Sequence, residues 1–405
     1  MIANKKLEED FSDYLCLDPL DILCTIPMKF YPPKIPTDID IFPTFFHDVN
    51  DSTSLKLRKL SKTDSSYVND ILSANLEIHL RKLETLDRRD IENSLFKYDP
   101  YYILNYKSPL TPDLPSKDSL GIYAISAAYG LPKNVERYAC IGDGPGGWVS
   151  FIQKKYSHSQ GYGITLANGS DWEIDRIDLK KFQLIYGESF SGDILRESQY
   201  FIDFIFQKGT YLDLVTCDAS GSIELVIKQV SVALKLLRPR VLETYLREGL
   251  LQPLSLEELG YKPDDIGTVY LEGGCLILRL GESTSKIIGD LIYLLSRCFE
   301  NISIYKPSVV NAHEGVSYLI CKDFLGANGI IEVINMMDKS TVLAAVLSTR
   351  FRSFLETVNN ALVARQDRVV RHIIAGLSDT AETKKDNSRM MLLLGIPGSS
   401  GIGVF

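Results

Sequence analysis

The sequence is poor in the residues that would support metal, redox or secretory chemistry. Histidine is scarce, with five in 405 residues, and the seven cysteines, at positions 16, 24, 140, 217, 275, 298 and 321, contain no C-x-x-C pair. This leaves no metal constellation, and an odd number of thiols lying mostly in apolar runs reads as buried cysteines in a reducing compartment. No apolar run approaches the ~18 residues that span a bilayer. The N-terminus has neither a basic region before an apolar core nor a small-residue cleavage site. A soluble, non-secreted chain with no membrane partner is expected. Positive charge is also short: 44 Lys and Arg against 52 Asp and Glu give a net charge of −8. That balance excludes a uniformly basic nucleic-acid coat and confines any RNA contact to a local patch. There is no internal repeat. What the chain does have is length beyond one typical domain and 45% hydrophobic residues, enough for a sizeable core.

Its most informative stretch is Tyr138-Ala-Cys-Ile-Gly-Asp-Gly-Pro-Gly-Gly-Trp148. Apolar residues before Gly142 read as the end of a buried strand, and Gly142, Gly144, Gly146 and Gly147 form a tight turn. Trp148 then opens a helix that runs to Tyr156. Glycines permit positive φ and close approach of a ligand to the backbone, and a helix N-terminus offers unpaired N–H groups to a carboxylate or phosphate. Two familiar nucleotide motifs do not fit. The turn reads G-x-G-x-G-G, not G-x-G-x-x-G, and Pro145 removes a backbone donor. Gly147 is followed by Trp148, not by the Lys-Ser/Thr of a phosphate-binding P-loop. The remaining nucleotide-type reading is a site for the methionine carboxylate of S-adenosylmethionine; an ordinary strand-to-helix turn stays open beside it.

The rest of the chain gives that turn a setting. Residues 1 to about 60 are interrupted by Pro19, Pro27, Pro32, Pro33, Pro36 and Pro43 yet carry Phe30, Tyr31, Phe42, Phe45 and Phe46, as an irregular segment packed on something larger would. Helical spacing covers 64–94 and then 120–130, the latter preceded by a proline-rich loop holding Lys107 and Lys117. Strands are expected at 161–166, 182–188, 211–218 and 271–279, with a closing pair at 301–306 and 317–322. Helices are expected at 223–237 and 287–299. This alternation specifies an α/β fold, a doubly wound and mainly parallel sheet. Ligands bind beyond the carboxyl ends of such strands, where Gly142, Asp193, Asp218 and Arg279 fall. Residues 239–270 form an acidic insertion. From about 326 the pattern turns helical, with Arg350, Arg352, Arg365 and Arg368 among an excess of basic residues. These four are candidate RNA-phosphate contacts, and a solvated helix face explains the same charges.

Taken in order, Ile141-Gly-Asp-Gly-Pro-Gly-Gly-Trp148, Tyr186-Gly-Glu188 with Gly192-Asp193-Ile194, Asp213-Leu-Val-Thr-Cys-Asp218, Cys275-Leu-Ile-Leu-Arg279 and Tyr318-Leu-Ile-Cys-Lys322 resemble an FtsJ-type RNA ribose methyltransferase. More specifically they resemble the methyltransferase region of the large (L) polymerase protein of non-segmented negative-strand RNA viruses, in a bornavirus-like lineage, and Leu393-Leu-Gly-Ile-Pro397 is similar to the ending of some such proteins. The resemblance implies a Rossmann-like methyltransferase domain at 96–325, preceded by a connector at 1–95 and followed by a small α-helical C-terminal domain at 326–405. It implies S-adenosylmethionine as cofactor, held by Gly142, Asp143, Gly144, Pro145, Gly146, Gly147, Trp148 and Asp193. It also implies capped viral mRNA, the remainder of the polymerase and its phosphoprotein as partners, in the virion and the host cytoplasm or nucleus.

The same resemblance implies a Lys-Asp-Lys-Glu set around a ribose 2′-hydroxyl, and here the sequence departs from it. Asp218 matches the aspartate. Arg279 stands where the second lysine belongs and keeps the charge, but it does not readily give up a proton. Val316 occupies the glutamate's position, with Glu314 two residues away. No lysine lies on the helix at 120–130, and only Lys117 is near. Two readings follow: a cap methyltransferase acting on ribose 2′-O, guanine N7 or both, with Asp218, Arg279 and Lys117 as catalytic candidates, or an inactive module that binds RNA or braces the polymerase. A small-molecule methyltransferase of the same sheet type is a third.

Overall fold

The computed structural model describes residues 44–91, 119–168, 171–209, 211–240, 272–281, 284–307 and 313–376. The expected proline-rich loop holding Lys107 and Lys117, residues 241–270 of the acidic insertion expected at 239–270, and residues 377–405 lie outside them.

The described strands are β1 (Thr44–Phe46), β2 (Leu57–Lys59), β3 (Arg137–Ile141), β4 (Gln160–Ile164), β5 (Phe182–Leu184), β6 (Leu214–Cys217), β7 (Cys275–Leu280), β8 (Phe299–Tyr305), β9 (Ser317–Phe324) and β10 (Thr341–Leu343). The helices are α1 (Asp70–Glu84), α2 (Ser119–Ala128), α3 (Gly147–Lys155), α4 (Ile194–Phe206), α5 (Ile223–Leu236), α6 (Lys286–Ser296), α7 (Ile330–Met336) and α8 (Thr349–Gly376).

Eight strands form one sheet in the order β1-β8-β9-β7-β6-β3-β4-β5. Pairings β3–β4, β3–β6, β4–β5 and β6–β7 are parallel, whereas β9 runs antiparallel to both β7 and β8. The mixed α/β, doubly wound sheet expected from the sequence is therefore present. Its central strands are apolar runs because both faces are covered: all four residues of β6 are buried, as are Tyr138 to Ile141 of β3. From β3 the chain moves one way through α3 to β4 and, later, the other way through β6 and α5 to β7. With right-handed crossovers, α3 and α5 lie on opposite faces. Accordingly α2 packs with α3, and α4 and α7 pack with α5. The point where the strand order reverses lies between β3 and β6, and the crevice beyond their carboxyl ends is where this topology receives ligands.

Two features differ from the sequence reading. The third strand stops at Leu184, and the chain turns away through Gly187 (φ 80) and Gly192 (φ 66). The segment after 326 is not helical throughout, because β10 pairs antiparallel with β2. The first described segment is tied to both ends of the fold: β1 extends the sheet beside β8, and α1 packs on α8 through Leu76, Leu83, Val363, Val370 and Ile373. Asp290, fully buried on α6, fastens these pieces. Its carboxylate accepts from the Tyr67 hydroxyl at 2.8 Å, from Lys286 Nζ at 2.5 Å and from the Leu343 amide at 2.8 Å.

Candidate active site

The glycine turn sits at the switch point, built from the end of β3 and the start of α3. Gly142 adopts φ 73, and a Cβ there would strike the side chain of Ala219, just past β6. Only glycine lets these two strand ends approach so closely. Gly144 donates its amide to Thr165 Oγ1 at 3.3 Å, tying the turn to the end of β4, and Pro145 accepts from the Glu173 amide at 2.9 Å. Gly146 is the left-handed N-cap of α3 and supplies no side-chain cap.

Asp143 supplies it instead. Its carboxylate, 2% exposed, accepts from the amides of Trp148 at 3.0 Å and Val149 at 2.8 Å. The N–H groups that the sequence offered to a ligand carboxylate are thus held by the chain's own carboxylate. Trp148 is corrected in the same way. Its amide is given to Asp143 and its fully buried indole lies 5.6 Å from the Tyr318 ring, so it belongs to the core. Asp193 is the N-cap of α4, accepting from the Leu195 amide at 3.0 Å, with Arg196 Nε 3.6 Å away. Of the remaining turn residues, Gly142, Gly144 and Pro145 are half-buried at this edge, whereas Gly146 and Gly147 are buried.

Asp218 and Arg279 are brought together by strand register. Cys217 of β6 pairs with Leu278 of β7, so the next residue of each strand falls side by side, and Arg279 Nη1 lies 3.5 Å from Asp218 Oδ1. Asp218 is 7% exposed, and its amide donates to the Ile141 carbonyl at 2.9 Å, fixing it beside the glycine turn. The row continues across the sheet, since Arg279 pairs with Tyr318 and Tyr318 with Tyr305. Tyr318 also borders α2, where a Cβ on Gly121 would lie 2.9 Å from its hydroxyl. A guanidinium does not act as a proton acceptor, so Asp218 is the group of this pair that can receive a hydrogen bond or proton from a hydroxyl, with Arg279 holding it.

No lysine occurs on α2, and Lys117 lies outside the described residues. Glu314 precedes β9, and what the structure brings to this place is Lys306, a residue the sequence reading passed over as a strand end. It is 2% exposed just past β8, and its Nζ donates to the carbonyls of Glu314 and, at 3.0 Å, Val316. An apolar strand ending in Tyr-Lys-Pro at the ligand-binding edge was the available signal.

The four arginines expected to meet RNA do not share one surface. Arg350 lies over the Phe45 ring at 5.1 Å, and Arg352 pairs with Glu356 at 2.7 Å on the exposed face of α8. Arg368 is half-buried further along that helix. Arg365 is buried, with Nη1 donating to the Lys306 carbonyl at 3.0 Å, which corrects its assignment: it braces α8 against β8 and presents no cation to a phosphate. Among the described residues no group of three or more His, Cys, Asp or Glu could hold a metal, and no described helix is long and apolar enough to cross a membrane.

Comparison with known proteins gives this geometry a family. The FtsJ-like methyltransferase family matches residues 115–324. The "Cap-specific mRNA (nucleoside-2′-O-)-methyltransferase 1" of Leishmania braziliensis is 24% identical over 225 residues, 53% of this chain and 52% of that protein. Its namesake in Dictyostelium discoideum is 23% identical over 281 residues, 63% of this chain and 34% of that protein. The "Inactive cap-specific mRNA (nucleoside-2′-O-)-methyltransferase 1B" of Caenorhabditis briggsae is 24% identical over 205 residues, 47% of this chain and 22% of that protein. The chain thus spans between 22% and 52% of the length of these three relatives. S-adenosylmethionine is the cofactor of this methyltransferase family. At the end of β3, Gly142 and Gly144 keep part of their backbone exposed, and Leu166 and Phe190 are exposed apolar side chains beyond β4 and β5. The match over residues 115–324 covers more than half of the sequence, and the chain belongs to the FtsJ-like methyltransferase family.

Proposed function

We propose that this chain transfers the methyl group of S-adenosylmethionine to the ribose 2′-hydroxyl of a capped RNA. The observation that carries the reading is the Asp218–Arg279 pair beside the glycine turn, at the carboxyl edge of β6 and β7. A ribose hydroxyl laid over this edge would donate to Asp218, and its oxygen would face the donor's methyl group. In-line positioning then supplies much of the rate, because the sulfonium already makes the methyl group electrophilic. Cap 2′-O methylation by relatives supports the choice of acceptor.

The test is calorimetric titration with S-adenosylmethionine and S-adenosylhomocysteine, followed by methyl transfer to capped RNA carrying either a 2′-hydroxyl or a 2′-O-methyl group at the first nucleotide. Transfer to the first and not the second is expected. Transfer to both, lost when guanine N7 is already methylated, would reassign the acceptor to N7.

A second reading is a donor- and RNA-binding module without transfer. It is favoured by Arg279 in place of a lysine, Val316 in place of a glutamate and the absence of lysine from α2. Binding without transfer in the same titration would select it. We further propose a viral setting, as part of a large polymerase protein whose other parts and phosphoprotein are its partners. The order of the five motifs and the helices that follow β9 support that setting, while the relatives named above are cellular proteins. An open reading frame running upstream into polymerase motifs is the expected finding, and upstream stop codons would remove the proposal.

A further inference from the structure

At the carboxyl end of β8 lies a cavity of about 330 Å³, and neither the glycine turn nor Asp218 or Arg279 lines it. Strand register sets its place. Tyr305 of β8 pairs with Tyr318 of β9, and the residues beside that pair, Lys306 and Ser317, are part of the lining. The walls are aliphatic: Leu76 and Leu80 come from α1, Leu362 and Val363 from α8. Both helices fall outside residues 115–324, so the flanking segments of this chain, not the common family fold, close the cavity. The exposed Ser73 and Glu77 of α1 mark its mouth, and the buried Lys306 and Ser317 mark its floor.

The floor is where the chemistry gathers. The Lys306 ammonium is fixed there by the carbonyls of Glu314 and Val316. Arg365, which donates to the Lys306 carbonyl at 3.0 Å, brings a second buried cation to the same place. These two outweigh Glu314, the acidic residue of the segment leading into β9, so the floor favours an anion. Ser317 is 1% exposed, and its buried hydroxyl has no hydrogen-bond partner. A buried hydroxyl left in that state is uncommon and costs stability, which an acceptor on a ligand would recover. We propose that this cavity binds a small monocarboxylate with a compact apolar body. The carboxylate meets the floor, where Lys306 supplies the charge and Ser317 the hydrogen bond, and the body lies between α1 and α8. Apolar walls with a few polar groups at one end are the usual make-up of a small-molecule site. The volume is the share of about eleven water molecules at ~30 Å³ each, which suits a ligand of about ten non-hydrogen atoms and is too small for a nucleotide. A site of this kind operates whether or not methyl transfer occurs.

The test titrates 3-phenylpropionate into the whole chain, by calorimetry and by thermal unfolding, beside 3-phenylpropan-1-ol and acetate. The acid should bind with a Kd of about 1 mM or tighter and raise Tm, because its occupied site joins α1, α8 and the sheet. The alcohol lacks the charge and acetate lacks the body, and each should bind at least about tenfold more weakly. Ser317→Ala removes the unpartnered hydroxyl, so it should keep or raise Tm without ligand while weakening the acid about tenfold. Val363→Phe fills the space between the helices and should abolish binding in a folded protein. S-adenosylhomocysteine should not displace the acid. Failure of the parent to bind at several times that concentration overturns the proposal, as does equal binding of the alcohol or of acetate. Displacement by S-adenosylhomocysteine, or unchanged binding in a folded Val363→Phe, would put the acid elsewhere and overturn it likewise.

Discussion

Arg279 on β7 places its Nη1 3.5 Å from Oδ1 of Asp218 on β6, and the pair exists because two parallel strands end in register at the switch-point edge. In a set that lacks the second lysine, the carboxylate is the group able to engage a hydroxyl proton. Asp218→Ala should therefore reduce methyl transfer at least about a hundredfold and leave S-adenosylhomocysteine affinity within about threefold, because the glycine turn is untouched. Arg279→Lys keeps a cation beside the carboxylate and should retain most transfer, whereas Arg279→Ala should not. Single-turnover rates measured alongside calorimetry decide it; an Asp218→Ala variant with full activity would move the chemistry elsewhere.

Asp143 was legible as part of the donor motif, but its carboxylate closes the first turn of α3 instead. Asp143→Ala should cost about 1–2 kcal/mol of stability, the usual loss for an N-cap acceptor with its donors buried. Donor binding should weaken with it as the turn loosens. Asp143→Asn retains one acceptor oxygen and should fall between the two proteins in both properties. Urea midpoints and S-adenosylhomocysteine titrations on the same samples would check this. A direct ligand contact would give the opposite signature, strong loss of binding in Asp143→Asn with stability unchanged.

The elements that the sequence made legible are those whose pattern is set by burial alone. β6 and β7 are apolar runs covered on both faces, and the turn after β3 needs glycine at Gly142 because Ala219 lies against it. By contrast β1, β2 and β10 have three residues each, too few for any period to show, and each is a strand only because a distant partner is present. At Arg365 a signal was available. Val358, Leu362, Arg365, Val369 and Ile373 follow one another at helical spacing, and all five are buried, so the arginine lies within the apolar stripe of α8. Counting charge along the tail hid that spacing. Phe190, in the loop between β5 and α4, had no sequence signal for its φ of 55, because positive φ at a bulky residue is imposed by the loop around it, where buried Glu197 holds the amides of Glu188 and Ser189.

The cysteines give the protein an alkaline limit. Cys140, Cys217, Cys275, Cys298 and Cys321 are all buried, four of them on the central strands and Cys298 just before β8. Burial pushes the Cys275 thiol up to about 12 and raises the other four well above the ordinary thiol range as well. In the unfolded chain these thiols titrate near ~8.5. Between that value and the folded ones the native state holds protons that the unfolded state has lost, so stability decreases as pH rises. Their contribution should be intact below about pH 8 and should decline from about pH 9 upward. Urea midpoints from pH 7 to 10.5 should show this decline, and Cys275→Ala and Cys217→Ala should make it shallower even where they lower stability at neutral pH. In parallel, a thiol reagent at pH 8 should leave these five positions unlabelled in the native protein and label them rapidly in urea, because the thiolate that reacts does not form in the core. Rapid native labelling at any of the five would mean that its strand opens to solvent far more readily than its packing implies.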